Sequence, residues 1–406
     1  MPWMERDVEE QRVRFAIRAL SGQETMAGLC REFGVSRPTG YVWRKRLEQA
    51  SSLTGVVERS RRPLHSPRQT APEVEELAVA LRLQYGWGAR KLQVLLREQG
   101  QELPVVTINR ILKRRGLVNK WNSHAPAPQR FERSAPNELW QMDGKGKYRL
   151  REGNCYPLSI LDDHSRYLVG LHGLSAWTAE WVQRCLMQTF EQYGLPVALL
   201  LDHDALWWGA TNGYGLTWLS VWLIEQEIRL HYGRVHHPQT QGKVERFHRT
   251  LEEAIRHRGK PQQFAEWAAA LREVRRIYNE ERPHEALGMQ RPVARYRAST
   301  RPYQPKPREW EYPSGSIVRR LNPAGCLDWE GQRWFVCEAL AERWVGVESV
   351  GSLLLVSYRH MYVRVVDRER RCTRPLVVPR KVEEALRSPS GLPTSPLNRP
   401  NPESQV

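Results

Sequence analysis

Three acidic residues lie where carboxylates commonly do chemistry. Asp143 ends the apolar segment LWQMD, Asp202 ends the apolar segment ALLLD, and Glu245 lies in the basic stretch HPQTQGKVERFHRTL. In an α/β sheet functional groups gather at strand ends and helix starts, so these acids can converge on one site. Their mutual repulsion then requires a cation, and Mg²⁺ or Mn²⁺ prefers carboxylate oxygens. Two such ions, about 4 Å apart, polarise a phosphodiester and activate water or a sugar hydroxyl.

The basic stretch around Glu245 predicts a polar loop followed by a helix, with Thr240 as N-cap. Apolar residues at helical spacing mark its buried face: Val244, Phe247, Leu251 and Ile255. One interpretation makes Glu245 a solvated charge that pairs with Arg249, four positions on. In the alternative, Glu245 holds metal while Lys243, Arg246 and Arg249 hold the surrounding phosphates.

Length and charge bound the class of protein. The chain has 406 residues, enough for two to four domains, and its 62 Lys and Arg against 45 Asp and Glu give a net charge of +17. This surplus favours a polyanionic partner, although ribosomal or membrane-surface binding also fits. Six scattered cysteines without a C-x-x-C pair argue against a zinc knuckle and fit a reducing cytosol. We expect no membrane span and no signal peptide.

The N-terminal part predicts two helical DNA-binding units. In residues 1–50, Gly34 ends one helix and Ser36 caps the next, which is typical of a helix-turn-helix. Its last helix would present five residues to DNA: Arg37, Thr39, Tyr41, Arg44 and Lys45. An ordinary three-helix bundle with a basic face is the alternative. A linker at 51–71 leads to a second helix-turn-helix-like unit at 72–118, with Thr107 as a cap and Lys113, Arg114 and Arg115 near phosphates.

The rest of the chain predicts an α/β domain, a smaller β domain and a tail. A Pro-rich linker at 119–135 precedes residues 136–300, where strands come first and then alternate with helices, as in an α/β domain with a mixed sheet. Residues 310–385 contain short β segments, which predict a small antiparallel barrel or sandwich. The tail at 386–406 is rich in Pro, Ser and Asn and is expected to be disordered.

Five stretches carry a resemblance to a known family. NELWQMD, LSILDDHSRYLVG, LLLDH, HPQTQGKVERFHRTL and YNEERPHEALGMQRPVARY follow one another within residues 136–297. With them the chain resembles the integrase-core DDE transposases of bacterial insertion sequences, relatives of retroviral integrases. The resemblance implies a ribonuclease-H-like core, and it makes Asp143, Asp202 and Glu245 the catalytic triad that binds two Mg²⁺ or Mn²⁺ ions.

The resemblance also implies an activity. Such a transposase would recognise terminal inverted repeats, cleave the element's ends with a metal-activated water, and join the freed 3′-hydroxyl to target DNA without a covalent protein–DNA intermediate. It would act as a homo-multimer on double-stranded DNA in the bacterial cytoplasm, at the nucleoid. A ribonuclease-H-type nuclease acting on RNA–DNA hybrids shares the fold but leaves the N-terminal helical units unexplained.

The sequence departs from the family after the second acid. The family has a small polar residue and then Gly there, whereas His203 and Asp204 follow Asp202. Asp204 could compete for metal, so a decayed transposase that only binds DNA is the alternative function. The loop ALWWGATNGYG is expected to be mobile and to touch DNA through Trp207 or Trp208.

Several other polar residues have structural interpretations. Asp162 and Asp163 are expected to be structural acids, not metal ligands. The histidines near Glu245 lack the cysteine partners of a zinc site and predict DNA contacts or caps: His236, His237 and His248. The segment RPHEAL is expected to end a helix and pack it on the core, and Trp177 and Trp181 predict packing.

Overall fold

The computed structural model describes residues 8–50, 52, 69–118, 132–209, 215–232 and 242–375. The chain divides into two units, Met1–Thr70 and Ala71–Val406. The predicted tail, most of both predicted linkers and the proposed cap Thr240 lie outside the described residues.

Three helices form the described part of the first unit: α1 (Val8–Ser21), α2 (Met26–Glu32) and α3 (Arg37–Ala50). Gly34 adopts a φ of +64° between α2 and α3, which a residue with a side chain rarely adopts. The Ser36 hydroxyl accepts a hydrogen bond from the Thr39 amide at 3.3 Å. The predicted helix end at Gly34 and the predicted cap at Ser36 are therefore confirmed.

Three further helices open the second unit: α4 (Pro72–Tyr85), α5 (Ala89–Glu98) and α6 (Val105–Arg114). Leu92, Leu96 and Ile108 are fully buried between them. The cap predicted at Thr107 is wrong, because α6 begins at Val105 and the Pro104 carbonyl accepts the Thr107 amide at 2.9 Å. Pro104 has an extended backbone as the N-cap, with φ −63° and ψ 144°, so the helix starts directly after it.

A mixed sheet forms the centre of the second unit. Its strands are β1 (Trp140–Gly144), β2 (Tyr148–Arg149), β3 (Asn154–Asp162), β4 (Leu168–Leu174), β5 (Ala198–Leu201) and β6 (Arg229–Tyr232). The order is β4-β3-β1-β5-β6, and β2 pairs with the start of β3. β3 is antiparallel to both β4 and β1. On the other side of β1, β5 runs parallel to β1 and β6 runs parallel to β5. This is the predicted ribonuclease-H-like arrangement.

Helices cover both faces of this sheet. They are α7 (Ala179–Tyr193), α8 (Trp218–Glu225), α9 (Gly242–Arg258) and α10 (Phe264–Arg276). Leu158 and Ile160 of β3 pack in the cluster that contains Val182 of α7. Leu161, on the opposite face of the same strand, packs with Phe247 of α9. Alternation along β3 thus explains the two hydrophobic layers. None of the helices within the described ranges has both the length and the apolar character that a membrane span needs.

The C-terminal part is antiparallel β structure, as predicted. Its strands are β7 (Ile317–Arg320), β8 (Cys326–Trp329), β9 (Gln332–Phe335), β10 (Trp344–Val350), β11 (Leu353–Tyr358), β12 (Met361–Asp367) and β13 (Cys372–Pro375). Five of them form one sheet in the order β13-β12-β11-β10-β7, and β8 and β9 form a hairpin.

This β region shares one hydrophobic cluster with the central sheet. Helix α8 explains why the two sheets share a cluster. Its side chains are buried on every side, Leu219, Leu223 and Ile224 among them, and a helix that is apolar all round must be covered on all sides. The Tyr358 hydroxyl also donates to Glu225 of α8 at 2.8 Å.

Asn279 joins the end of α10 to the sheet. It lies in a π-helical turn, Ile277–Glu281. Its side-chain Oδ1 accepts a hydrogen bond from the Leu168 backbone N–H at 2.8 Å, and its Nδ2 donates to the Leu168 carbonyl at 3.1 Å. Asn279→Ala should lower the free energy of unfolding by about 2 kcal/mol, because the buried Leu168 amide loses the side-chain oxygen that it bonds, while the Leu168 carbonyl keeps the hydrogen bond from Arg275 Nε at 3.0 Å. Denaturant unfolding and hydrogen exchange at the Leu168 amide would measure this effect.

Asn279→Asp is the matched control, since it keeps an acceptor for the Leu168 amide but turns a carboxylate oxygen toward the Leu168 carbonyl. We expect it to destabilise the fold as well, while exchange at the Leu168 amide stays slower than in Asn279→Ala. Wild-type exchange at Leu168 in Asn279→Ala would contradict the structural role.

Candidate active site

Strand pairing brings the first two acids together. β1 and β5 are adjacent and parallel, with Trp140 opposite Leu199 and Gln141 opposite Leu200. If this register is continued by two residues beyond Gln141 and Leu200, Asp143 lies beside Asp202. The convergence that strand-end positions predicted for this pair is present in the fold.

Asp143 has the perturbed titration expected of a crowded acid. Burial and, after it, the negative charge of Asp202 raise the pKa of Asp143 to about 7, against a hydrogen bond from the Gly144 amide. Glu245 and Asp204 contribute smaller effects in the same direction. Three carboxylates therefore lie near enough to Asp143 for their charges to oppose its ionisation.

Glu245 lies in the first turn of α9 with an exposed side chain. The pairing with Arg249 does not form: within the described ranges no ion pair joins these two side chains. The charge of Glu245 is instead felt by Asp143. The predicted pairing with Arg249 is thus wrong, whereas the exposure of the Glu245 side chain agrees with its interpretation as a solvated charge.

The donor chemistry of these acids fits a hard divalent cation, since every candidate ligand is a carboxylate oxygen. Among the described residues, however, no three His, Cys, Asp or Glu side chains are grouped closely enough to hold a metal ion. Asp143 and Asp202 are the two that the sheet holds side by side, and Glu245 would have to approach them to complete a three-acid site.

Trp207 fixes the Asp202 carboxylate. The ring is fully buried, and its Nε1 donates to Asp202 Oδ1 at 2.9 Å and to the Asp202 carbonyl at 3.0 Å. The predicted DNA contact by Trp207 is therefore wrong. Trp208 is only half-buried and packs edge-on against Tyr232, with ring centroids 4.8 Å apart.

Asp204 forms a turn and does not stand free beside the site. Its Oδ1 accepts from the Leu206 amide at 2.8 Å, and its Oδ2 accepts from Trp177 Nε1 at 3.0 Å. An Asp that bonds to the backbone two residues on supplies the turn that Gly would otherwise allow. Trp177 in turn fills the space over Gly144, where a Cβ would lie 2.5 Å from its ring. Competition for metal by Asp204 would require breaking both hydrogen bonds.

His248 is a site residue that the sequence analysis assigned differently. It is 6% exposed, its Nδ1 lies 3.6 Å from Asp143 Oδ2, and its Nε2 lies 3.2 Å from Ser159 Oγ. Burial and, after it, the charge of Lys145 lower the pKa of His248 to about 4, so the ring is neutral at pH 7. The predicted DNA contact or cap at His248 is wrong. Its position four residues after Val244, on the apolar face of α9, was the available signal.

Asp162 and Asp163 are fully buried. Asp162 accepts from the amide and hydroxyl of Ser165 and from the Asn137 amide. Asp163 accepts from Gln141 Nε2 at 2.8 Å and pairs with the Lys243 ammonium. Their structural interpretation agrees with these contacts. Lys243, however, was predicted to hold phosphate, and this must be corrected: its charge is committed to neutralising a buried acid.

Most of the other basic residues predicted to contact DNA are exposed. On α3 the exposed residues are Arg37, Thr39, Tyr41, Arg44 and Lys45, and in the second unit they include Lys113, Arg246 and Arg249. Arg114 is exposed too, but it pairs with Glu75 in the first turn of α4 at 2.8 Å, and Arg115 pairs with Glu76. The phosphate contacts predicted for Arg114 and Arg115 therefore compete with ion pairs inside the helical unit.

Family models match most of the chain in three pieces. Residues 133–238 and 226–292 each match an integrase core domain. Residues 10–84 match the leucine-zipper of insertion element IS481.

Solved structures of viral integrases show a partial likeness. The HTLV-2 integrase catalytic core domain in complex with magnesium (dimeric form) is 13% identical over 40% of this chain and 97% of its own, with a TM-score of 0.31. For the BIV integrase catalytic core domain the identity is 21% over 39% and 92%, with a TM-score of 0.30. The simian T-cell lymphotropic virus intasome in complex with PP2A regulatory subunit B56 gamma is 14% identical over 75% and 100%, with a TM-score of 0.36.

The family assignment rests on the sequence matches together with the strand order and the placement of the acids. Two integrase-core matches meet across residues 133–292, and the match to the insertion element lies before them. The chain belongs to the integrase-core DDE transposases of insertion sequences, within the retroviral integrase superfamily.

Proposed function

We propose that the protein is an active transposase that binds the terminal inverted repeats of an insertion sequence, cleaves DNA at its ends and joins them to target DNA. The observation that carries the proposal is the pair Asp143 and Asp202 on adjacent parallel strands, with the charge of Glu245 near them. A protein that only binds DNA needs no such concentration of acids.

In this proposal the three acids hold two Mg²⁺ or Mn²⁺ ions. When bound, the ions supply Lewis-acid activation of a phosphodiester and of the attacking water or 3′-hydroxyl. Asp202 is held by the Trp207 indole, and the neutral His248 ring lies 3.6 Å from Asp143, so the chain fixes the Asp202 carboxylate before any substrate arrives. Fixed ligands lower the cost of reorganisation during the reaction.

The residues that bind the rest of the DNA lie outside this acid centre. The exposed basic face of α3 supplies base and phosphate contacts to the inverted repeat, while Lys113, Arg246 and Arg249 contact phosphates. Joining two ends to one target requires two active sites acting together, and we therefore propose a homo-multimer on DNA.

A strand-cleavage and strand-transfer assay tests the function. Labelled duplexes carrying the element's ends would be incubated with the full chain in Mg²⁺ or Mn²⁺, beside an RNA–DNA hybrid of equal length. We expect nicked ends and joined products from the duplex and none from the hybrid. Cleavage of the hybrid alone would indicate a ribonuclease. Duplex binding without cleavage in either ion would indicate a decayed transposase.

A further inference from the structure

Four basic side chains outside the acid centre converge near the end of α10. They are Lys91 of α5, Arg246 of α9, and Arg282 and His284 in the segment that follows the π-helical turn. The segment RPHEAL was expected only to pack a helix on the core. Its side chains also bring charge to the place where α5 and α9 meet the central domain.

The turn that Asn279 anchors gives these residues a fixed backbone. Beyond it, the guanidinium Cζ of Arg282 lies 5.5 Å from the centroid of the Tyr278 ring. The rings of Tyr278 and His284 have centroids 6.1 Å apart. Tyr278 is itself buried against Phe247, so both side chains rest on a rigid aromatic base.

Positive charge exceeds negative charge in this cluster. The pKa of His284 is lowered to about 3, first by burial and then by the positive charges of Arg282, Arg166, Arg246 and Lys91. The imidazole is therefore neutral and surrounded by cations. Burial also lowers the pKa of Lys91, and the charge of Arg282 adds to that effect.

Few acids offset these cations. Lys91 pairs with Glu285 at 2.9 Å, and Glu253 and Glu285 favour the charged form of Arg282. Arg166 is paired separately with Glu132 at 2.8 Å. Arg246 forms no ion pair with any residue that the structure describes, and its side chain is exposed.

Two polar atoms in the cluster lack partners. Arg282 Nε and His284 Nδ1 are buried and form no hydrogen bond within the described part of the chain. A buried group without a hydrogen-bond partner costs about 1–3 kcal/mol. A ligand that accepts hydrogen bonds and carries negative charge would satisfy Arg282 Nε, and His284 Nδ1 in the tautomer that protonates it, and would relieve the repulsion among the cations.

We propose that Lys91, Arg246, Arg282 and His284 form a binding site for a backbone phosphate of duplex DNA. The proposal rests on the proposed function, because it names how the same protein holds its DNA. Arg246 directly follows Glu245, so the phosphate would lie beside the acid centre. Lys91 belongs to the helical unit α4–α6, so one phosphate would tie that unit and the catalytic domain to the same strand.

The test measures binding of the full chain to a fluorescent end duplex across a range of salt concentrations. Lys91→Gln, Arg246→Gln and Arg282→Gln should each weaken binding roughly tenfold at fixed salt. Each should also reduce the slope of log affinity against log salt by about 1, the change expected for one lost phosphate contact.

Two matched controls separate this site from other effects. Glu285→Gln breaks the same ion pair as Lys91→Gln but removes a negative charge, so it should bind DNA at least as tightly as wild type. Arg272→Gln removes an exposed cation from α10 outside the cluster and should leave the slope unchanged. Equal weakening by Lys91→Gln and Glu285→Gln, or by Arg246→Gln and Arg272→Gln, would overturn the proposal.

Melting temperatures measured with inorganic phosphate test whether the site binds a free anion. If phosphate raises the melting temperature of wild type but not of Arg282→Gln, while DNA affinity is the same in both, the site takes a free anion and the DNA proposal is wrong. If the salt slopes change as expected but wild type does not cleave its end duplexes in the assay above, the transposase function is contradicted and the phosphate site is not.

Discussion

Asp143→Asn should abolish strand cleavage while leaving duplex binding within about twofold of wild type. Asn keeps the volume of the side chain but removes the charge that pairs with a cation beside Asp202. Loss of a group that acts directly on the reacting centre lowers the rate by roughly 10³-fold or more. Gel-based cleavage of a labelled end duplex and fluorescence anisotropy on the same preparation would measure the two effects.

Glu252→Gln is the control for this variant. Glu252 lies on α9, seven residues after Glu245, and pairs with Lys145 at 2.7 Å. It removes one acid from the same region without touching the proposed triad, so cleavage should persist. If Asp143→Asn cleaves as wild type does, the acid centre is not the site of the reaction.

Trp207→Phe should reduce cleavage by about 10–100-fold and raise the Mg²⁺ concentration needed for half-maximal activity. The ring would still fill the core, but the indole N–H that holds Asp202 Oδ1 at 2.9 Å would be gone. Asp202 Oδ1 would then keep only the hydrogen bond from the Asp204 amide at 3.1 Å, which holds its orientation less firmly. Metal titrations of the cleavage rate would separate a loss of metal affinity from a loss of fold.

Trp208→Phe is the neighbouring control, since Trp208 packs against Tyr232 and His203 and makes no hydrogen bond to Asp202. It should keep the wild-type dependence on metal. A Trp207→Phe protein with the same metal dependence as Trp208→Phe would show that the indole does not position the carboxylate.

The sequence predicted the acid pair because strand ends are visible as apolar runs that stop at an acid. Asp143 and Asp202 each follow such a run, and parallel pairing then places them together. The supports of these acids were not predictable in the same way. Trp207 lies in a Gly-containing stretch typical of an exposed loop, and only the fold brings its indole back onto Asp202.

Partners distant in sequence explain the corrected DNA contacts. Lys243 pairs with an acid 80 residues earlier, and Arg114 with one 39 residues earlier. In a basic chain, the sequence alone does not distinguish a basic residue that contacts phosphate from one that pairs with an acid distant in sequence. The union of the C-terminal strands with the central domain was missed for a related reason. The all-round apolar character of α8 was visible, but not which surface would cover its second face.

Anomalous diffraction from crystals of the full chain grown in Mn²⁺ tests the central claim most directly. The account predicts a Mn²⁺ peak bound by carboxylate oxygens of both Asp143 and Asp202, with Trp207 still donating to Asp202 and Glu245 drawn toward the ion. A peak bound by Asp204 after loss of its Trp177 hydrogen bond, or no peak at these acids in saturating Mn²⁺, would contradict it.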